Sequence, residues 1–397
     1  MYQRVNKAPA TQGDKHKEQI MPRTFNLNTD GILTQRPNHI PQDVWVKYTR
    51  HIAQKDSACP IAIRAEDLTF GVEIETHITN DASAQPRSYH SGHTTGHLPA
   101  FNDGIGSHRW GAERDSSIQT GRSGRYGAEY ISPILKGERG LRNLMDVVSV
   151  LKAGTNETLE ISHTNDRGEV INETFTGQGA RVNRSCGVHI HVGFPTNDLK
   201  ALQRLVALVA SLEEGIYAST GSTRRRNGTY SRPIKNRDER KDAQKIKQRD
   251  DFNRVWCNGS YSERYFGLNL VNLIRGRRPA VEFRFFSGSL NPIKIAAWTQ
   301  MCLGLVQLAL SAQRSAPWDS KPASNWYGKD KTQSEREVQR LMQKLGWVYK
   351  RDNNTFGTLG ILAEGGNAPK RMTMVREMRR LARQYDDQIE SGSDELG

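Results

Sequence analysis

The stretch Phe70–Glu75, FGVEIE, places two glutamates one residue apart in a run of apolar residues. Such a run predicts a β-strand, in which successive side chains point to opposite faces. Glu73 and Glu75 then share one face of the strand. Val72 and Ile74 share the other face, which predicts that the strand packs on a core through that side. The two carboxylates lie about 6–7 Å apart and repel each other, and the run contains no Lys or Arg to relieve them.

The composition bounds the class of protein. A chain of 397 residues with a net charge of +14 has room for one large domain or two ordinary ones, and its basicity favours polyanionic partners such as nucleic acid. It contains no apolar run of about 18 residues, so we expect no membrane partner. Its first residues lack the apolar segment of a secretory signal. The cysteines are far apart and fit neither a zinc cluster nor a disulfide scaffold, which favours a cytoplasmic location: Cys59, Cys186, Cys257 and Cys302.

Changes in composition along the chain suggest three parts. Residues 1–60 are polar and punctuated by proline, so we interpret them as an N-terminal extension. Residues 61–314 alternate strand and helix patterns in mixed order, which is typical of an α+β domain with an antiparallel sheet. Residues 315–397 carry two polar helical patterns and are interpreted as a C-terminal helical extension.

Two segments inside the central part look like insertions. Residues 80–110 are rich in Gly, Ser and His and predict a long loop with weak structure. A loop of that length in a compact domain is usually a functional lid or a disordered insertion. Residues 223–251 contain eleven Lys or Arg against five Asp or Glu. Such a run is either a solvated loop and helix or an arm that binds a polyanion, and both interpretations stay open.

Three later strands repeat the polar alternation of the opening stretch. Each is otherwise apolar, and an antiparallel sheet buries one face while it leaves the other free. If these strands are neighbours, their polar groups gather with the two glutamates on the free face. Those groups are Glu129 of RYGAEYI, His189 and His191 of CGVHIHVGF, and Glu282 and Arg284 of AVEFRFF.

Carboxylates and imidazoles on one face favour a site for divalent cations. Mg²⁺ and Mn²⁺ prefer carboxylate oxygen, and Mn²⁺ also accepts imidazole. Two such ions would neutralise four glutamates and leave positions open for phosphate oxygens, and Arg284 would suit the same phosphate. Each motif alone has an ordinary explanation, as solvated alternation, packing or a cross-strand ion pair. Periodicity does not show whether the strands are neighbours.

Five motifs in one order extend this pattern to a known family. They are FGVEIE, then WGAERDSS at 110–117, AEYISPIL at 128–135, CGVHIHV at 186–192, and RYFGLNL with PAVEFRFF at 264–286. In this order they resemble the amidoligase family, a carboxylate–amine ligase branch of the glutamine synthetase and glutamate–cysteine ligase superfamily. The resemblance covers residues 68–312. It implies a glutamine-synthetase-like catalytic domain, in which an antiparallel sheet curls around ATP and two metal ions.

The resemblance also implies which residues hold the two ions, Mg²⁺ or Mn²⁺. Glu75 and Glu129 would bind one ion. Glu73, His189 and Glu282 would bind the other, nearer the phosphates of the nucleotide. Glutamine synthetase uses an additional carboxylate on the first ion, and the motifs leave the position of that carboxylate open in this chain.

The remaining polar positions take roles toward ATP and the substrates. His191 would face the nucleotide, and Arg284 would hold the transferring phosphate or the acyl oxygen. Asp115 and Ser117 match the region in which the family binds its substrate or amine, and Asp115 is the implied group that positions or deprotonates the amine. Asn269 matches a family asparagine and is a further substrate candidate.

The implied reaction is ATP-dependent formation of an amide. ATP phosphorylates a substrate carboxylate, and an amine attacks the resulting acyl phosphate, while the loop at 80–110 keeps water out. The charge of +14 suggests that one substrate is large and anionic, such as modified DNA or an acidic peptide.

Two other functions stay open: a phosphotransferase of the guanidino-kinase type on the same fold, and a non-catalytic basic protein that binds nucleic acid or has a structural role. A homo-oligomer also stays open.

Overall fold

The structure is a computed structural model. It describes residues 68–86, 89, 93–120, 124–164, 169–195, 198–234, 246–257, 264–318, 321–347 and 371–391. The predicted extension at 1–60 lies outside these residues, as does the middle of the basic segment, 235–245. The predicted α+β part lies largely within them.

Eleven strands occur in the described residues. They are β1 Thr69–Thr79, β2 Phe101–Asn102, β3 Ser107–His108, β4 Gly111–Arg114, β5 Arg125–Ile131, β6 Leu135–Lys136, β7 Thr158–Thr164, β8 Val170–Thr176, β9 Gly187–Gly193, β10 Leu268–Asn269 and β11 Ala280–Ser287. The main sheet has the spatial order β10-β11-β9-β1-β5-β4, with β6 beside the start of β1, and its pairings are antiparallel. The strand that contains FGVEIE pairs on both of its edges and therefore lies in the middle of the sheet.

Eight α-helices occur in the same described residues. They are α1 Gly137–Lys152, α2 Leu199–Ala218, α3 Arg224–Asn227, α4 Arg249–Cys257, α5 Val271–Ile274, α6 Pro292–Ser311, α7 Gln333–Lys344 and α8 Arg371–Ser391. Helix α6 begins where the Asn291 side chain accepts a hydrogen bond from the Lys294 backbone N–H, with Pro292 in the first turn. The fold is therefore mixed α and antiparallel β, as the alternating patterns predicted.

The long helices α1, α2 and α6 cover the apolar face of the sheet. On β11, Phe286 stacks on Trp298 of α6 with ring centroids 4.8 Å apart, and Phe285 meets the edge of Tyr217 of α2 at 5.0 Å. On β1, Ile74 is fully buried on this side. Aromatic packing of this kind buries a large apolar area, and it leaves the opposite face of the sheet for polar groups.

Helices α7 and α8, from the predicted C-terminal extension, pack against this helical layer. Helix α7 crosses α2 at Gly215, where a Cβ atom would lie 2.6 Å from the Glu337 carbonyl oxygen, so glycine allows the close approach. On α8, Arg383 Nε donates to Glu335 Oε1 of α7 at 2.8 Å. The two helices thus continue the layer that α2 and α6 begin.

One described helix, α6, is long and apolar enough to cross a membrane by length and composition, and 67% of its apolar window is buried inside the fold. The core helix of a soluble protein passes the same test. Trp298 of α6 is fully buried and stacks on the sheet, which accounts for the apolar composition through packing.

The segment at 80–110 has more structure than its composition predicted. Strands β2 and β3 form a short hairpin within it, and the Thr95 backbone N–H donates to the Trp110 carbonyl at 2.8 Å. Leu98 and Phe101 are 2% and 3% exposed. These two apolar side chains anchor the segment at the edge of the sheet. The sequence predicted a loop with weak structure because Gly, Ser and His are far more frequent in the segment than apolar residues.

Candidate active site

The polar motifs lie on adjacent strands and share one face of the sheet. Glu73 of β1 pairs in register with His189 of β9, and Glu75 of β1 pairs with Glu129 of β5. Strand β11, which carries Glu282, lies on the other side of β9. The polar faces that periodicity predicted strand by strand therefore form one surface across four neighbouring strands.

A first group of metal-type ligands consists of Glu73, His191 and Glu282. One ligand atom from each lies within 4.8 Å of the others. His191 Nε2 approaches Glu73 Oε1 at 3.0 Å, but this buried ring nitrogen makes no hydrogen bond of acceptable geometry. The ring nitrogen thus lies among carboxylates, at a position where an imidazole and carboxylate oxygens could bind one cation.

A second group consists of Glu73, Glu129 and His189, again with ligand atoms within 4.8 Å of one another. His189 Nδ1 lies 3.2 Å from Glu73 Oε2, and its Nε2 lies 3.6 Å from Glu75 Oε1. Glu73 thus belongs to both groups. This division differs from the one that the resemblance implies, in which His189 and Glu282 share an ion and Glu129 is paired with Glu75.

The clustered carboxylates affect one another's protonation strongly. Burial, together with the nearby charges of Glu73 and Glu75, raises the pKa of Glu129 to about 9. Burial acts in the same direction on Glu73, but the charge of His191 and a hydrogen bond from His189 hold the pKa of Glu73 well below its usual value. The carboxylates therefore compete for a few positive partners, and a divalent cation would relieve that competition.

The donor set suits Mg²⁺ or Mn²⁺. Carboxylate oxygens dominate it, with two imidazoles, and hard divalent ions prefer such ligands. Sulfur ligands, which would favour zinc or copper, are not part of either group. The residues that could hold the ions are Glu73, Glu75, Glu129, His189, His191 and Glu282.

Arg284 lies on the same face, next to the first group. Its Nη1 forms an ion pair with Glu282 Oε1, and its guanidinium carbon lies 5.9 Å from the centre of the Tyr265 ring. Burial opposes its charge, but the charge of Glu282 outweighs this and raises the pKa of Arg284. The register of β11 shifts between Phe283 and Phe286. Arg284 stays cationic within reach of the cluster, where it can meet an anionic ligand.

Asn269 contacts the cluster through Glu282. Its Nδ2 donates to Glu282 Oε2 at 2.5 Å, and its Oδ1 accepts from the Val271 backbone N–H at 3.0 Å. Both ends of the amide are therefore engaged within the protein. Asn269 orients Glu282 in this structure, whereas the resemblance implied a contact with substrate.

Asp115 and Ser117 follow β4 at the Glu129 side of the cluster. The Ser117 backbone N–H donates to Asp115 Oδ1 at 2.7 Å, and the charge of Asp115 contributes to the raised pKa of Glu129. Asp115 is half-buried and Ser117 is exposed. Asp115 therefore lies beside the cluster, and Ser117 lies next to Asp115 at the surface, where a substrate can reach it.

Glu113 is a site residue that we did not predict. It pairs in register with Glu129, which in turn pairs with Glu75, so three carboxylates form a row across β4, β5 and β1. Glu113 is 9% exposed, and its charge also raises the pKa of Glu129. Glu113 could have been predicted from its place in the WGAERDSS motif, of which we considered only Asp115 and Ser117 as site residues.

Arg225 is a second unpredicted site residue. Its Nη2 donates to the Cys186 carbonyl at 3.2 Å. Burial and the like charge of Arg284 lower the pKa of Arg225, while Glu75 acts in the opposite direction. Arg225 belongs to the basic segment 223–251, which we interpreted as a solvated run or a polyanion-binding arm. Its first helix, α3, instead directs this arginine toward the carboxylate cluster.

Comparison with known proteins agrees with the motif order. Residues 168–306 match the sequence model of the family described as "Putative amidoligase enzyme". Among solved structures, a bifunctional glutathione synthetase from Pasteurella multocida is similar at a TM-score of 0.43 and 11% identity, over 87% of this chain and 51% of that one. The chain thus spans about half the length of that protein. No curated protein matches the chain. The family match confirms, over residues 168–306, that this chain resembles the amidoligases.

Proposed function

We propose that this protein is an ATP-dependent carboxylate–amine ligase with a glutamine-synthetase-like catalytic domain. The observation that carries the proposal is the pair of ligand groups that share Glu73 on one sheet face, with Arg284 and Arg225 beside them. The family match supports the class of ligase, since it covers the strands that supply His189, His191 and Glu282.

Two divalent cations, Mg²⁺ or Mn²⁺, are part of the proposal. The first would be held by Glu73, Glu129 and His189, with Glu75 and the adjacent Glu113 beside them in the place of the additional carboxylate. The second would be held by Glu73, His191 and Glu282. When bound, such ions neutralise charge on the transferring phosphoryl group.

The cationic side chains serve the first half of the reaction. The γ-phosphoryl group of ATP passes to an oxygen of the substrate carboxylate, which forms an acyl phosphate and ADP. Arg284 and the nearby Arg225 are preorganised donors for the negative charge that develops on the phosphoryl oxygens. His191 faces the nucleotide side of the cluster.

Asp115 acts in the second half of the reaction, in which the amine attacks the acyl phosphate. The amine nitrogen attacks the acyl carbon, the phosphate leaves with its bonding electrons, and the amine loses a proton to form the amide. Asp115 lies beside the cluster, near Glu129, where it can accept that proton or orient the amine. Of the possible acid and amine substrates, the charge of +14 favours a large anionic molecule such as modified DNA or an acidic peptide.

The test is ATP turnover by the full chain with Mg²⁺ or Mn²⁺ and a panel of acids and amines, with mass spectrometry of the products. We expect ADP release that stops with a chelator, and a product with the mass of the acid plus the amine minus water. ADP with a phosphorylated guanidine and no amide would instead identify a phosphotransferase. Metal-independent turnover would contradict the assignment of the carboxylate cluster.

Gly187→Ala tests the placement of Arg225. A Cβ atom at Gly187 would lie 1.6 Å from Arg225 Nη2 and 3.2 Å from Glu75 Oε2. The guanidinium must therefore move, which its flexible end can do without unfolding the protein, while Glu75 need give by only a few tenths of an ångström. Because displacement of a catalytic group by about 1 Å can cost about 100-fold in rate, we expect ATP turnover to fall by about that factor. The unfolding temperature should fall by only a few degrees.

Gly71→Ala is the matched control for Gly187→Ala. A Cβ atom there meets Ser132 Oγ at 3.5 Å and His191 Cβ at 4.0 Å, which are ordinary contacts. We expect turnover close to that of the unmodified protein. Equal activity of the two variants would show that Arg225 does not take part in the reaction.

A further inference from the structure

A cleft lined by cations lies between the start of α6 and the middle of α8, with a volume of about 760 Å³. The charged residues that line it are Lys294 of α6 and, on α8, Arg376, Arg379, Arg380, Arg383 and Asp387. The lining therefore carries five positive charges against one negative charge. It is distinct from the carboxylate cluster, and no part of the proposed reaction uses it.

The arginines form a row along one face of α8. Arg376, Arg380 and Arg383 follow one another at four and three residues, so they share a face and span about 10 Å of helix axis. Arg380 pairs with Glu377, and Arg383 donates through Nε to Glu335. Their side chains are 54% and 71% exposed. Arg380 meets Glu377 through both Nε and Nη2, whereas the single contact of Arg383 is weak at such exposure, so Arg383 remains available to an anion.

Two cations of the cleft form no ion pair with the described residues, although Glu377 lies near enough to Lys294 to act on its charge. Arg376 is exposed and forms no ion pair with the described part of the chain. Lys294 Nζ lies 5.0 Å from the centre of the Trp298 ring and forms no ion pair there either. Burial, with repulsion from Arg380, lowers the pKa of Lys294 to about 8. The positive end of the helix dipole of α6 lies at the same place. The cleft thus holds positive charge that a bound anion would balance.

We propose that this cleft binds the phosphate backbone of a nucleic acid strand. Guanidinium groups match phosphate oxygens in pairs. A row of about 10 Å along the helix axis is longer than one phosphate group, so it suits a chain of phosphates better than a single one. A net charge of +14 for the whole chain agrees with such a partner. The proposal does not depend on the ligase reaction.

The test is fluorescence anisotropy of the full chain with a labelled single-stranded DNA of about 20 nucleotides, at several salt concentrations. The variant is Lys294→Met with Arg376→Gln, which removes two charges and breaks no ion pair within the described residues. We expect it to bind at least about tenfold more weakly. Its plot of log affinity against log salt should be shallower by about 1.4, or about 0.7 for each lost phosphate contact. Thermal unfolding should not drop, since methionine retains the packing on Trp298.

The matched control is Arg139→Gln with Arg254→Gln, which removes the same charge from exposed positions on α1 and α4. We expect its affinity and salt slope to stay close to those of the unmodified chain. Equal loss in both variants would reduce the effect to net charge and overturn the proposal. Unchanged binding by the cleft variant would also overturn it, as would an acidic peptide of equal charge that binds as tightly as the DNA.

Discussion

Glu73→Gln should lower ATP turnover by about a thousandfold. Glu73 offers an oxygen to both ligand groups, so one substitution weakens both cation positions. Bound metal ions stabilise the transferring phosphoryl group by several kcal/mol, and each 1.4 kcal/mol corresponds to about tenfold in rate. A loss of about 4 kcal/mol gives the expected factor. The measurement is steady-state ADP release at saturating ATP and Mg²⁺.

A second readout separates this effect from general damage. A ligand that binds only the folded state raises the unfolding temperature, so Mg²⁺ should stabilise the unmodified protein and not Glu73→Gln. Glu138→Gln on α1 removes a carboxylate that pairs with Arg142 at the exposed surface. It should retain both turnover and the Mg²⁺ effect. If Glu73→Gln keeps more than about a tenth of the activity, the sharing of Glu73 between two ions is wrong.

Trp298→Ala should destabilise the fold by about 4 kcal/mol. The side chain is fully buried, stacks on Phe286 of β11 and donates from Nε1 to the Ser219 carbonyl at 2.9 Å. Replacement of a buried aromatic residue by alanine costs about 3–5 kcal/mol, because it removes apolar contacts and leaves a cavity. The expected result is a large shift of the urea midpoint with an unchanged slope.

Trp298→Phe separates the packing from the hydrogen bond. Phenylalanine keeps most of the ring and loses the N–H group, so the Ser219 carbonyl is left without this donor. We expect a cost of about 1–3 kcal/mol, clearly below that of alanine. A negligible effect of both substitutions on unfolding in aqueous buffer would contradict the placement of α6 as a core helix on the sheet.

The elements of the sheet could be predicted from the sequence because strand periodicity is local. The alternation in FGVEIE, CGVHIHV and AVEFRFF depends only on successive side chains, and the structure has strands at all three. The main helices follow from apolar spacing in the same way. The segment at 80–110 was harder, since Leu98 and Phe101 are buried by contacts with distant parts of the chain.

Adjacency of the strands could not be predicted from periodicity, because it depends on pairings between residues more than fifty positions apart. Glu75 meets Glu129, and Glu73 meets His189, only after β1 has found both β5 and β9. The motif order and its family resemblance supplied that information indirectly. Glu113 was missed although it lies in the WGAERDSS motif, because only its pairing with Glu129 brings it to the site. Arg225 was missed because it lies in a run of three arginines, and nothing local distinguishes it from the other two.

The sequence by itself determined which residues share a face of each strand and which side chains are of the metal-ligand type, since both depend on residue identity and a period of two. Only the tertiary structure decided how those side chains are grouped. Register across the sheet places Glu73 beside His189 and His191 and brings Glu113 beside Glu129. Packing of the helices directs Arg225 toward the Cys186 carbonyl and gathers Lys294 and the α8 arginines into one cleft. The physical reason is that a side chain's face is set by its own backbone, whereas its neighbours are set by long-range packing of the core.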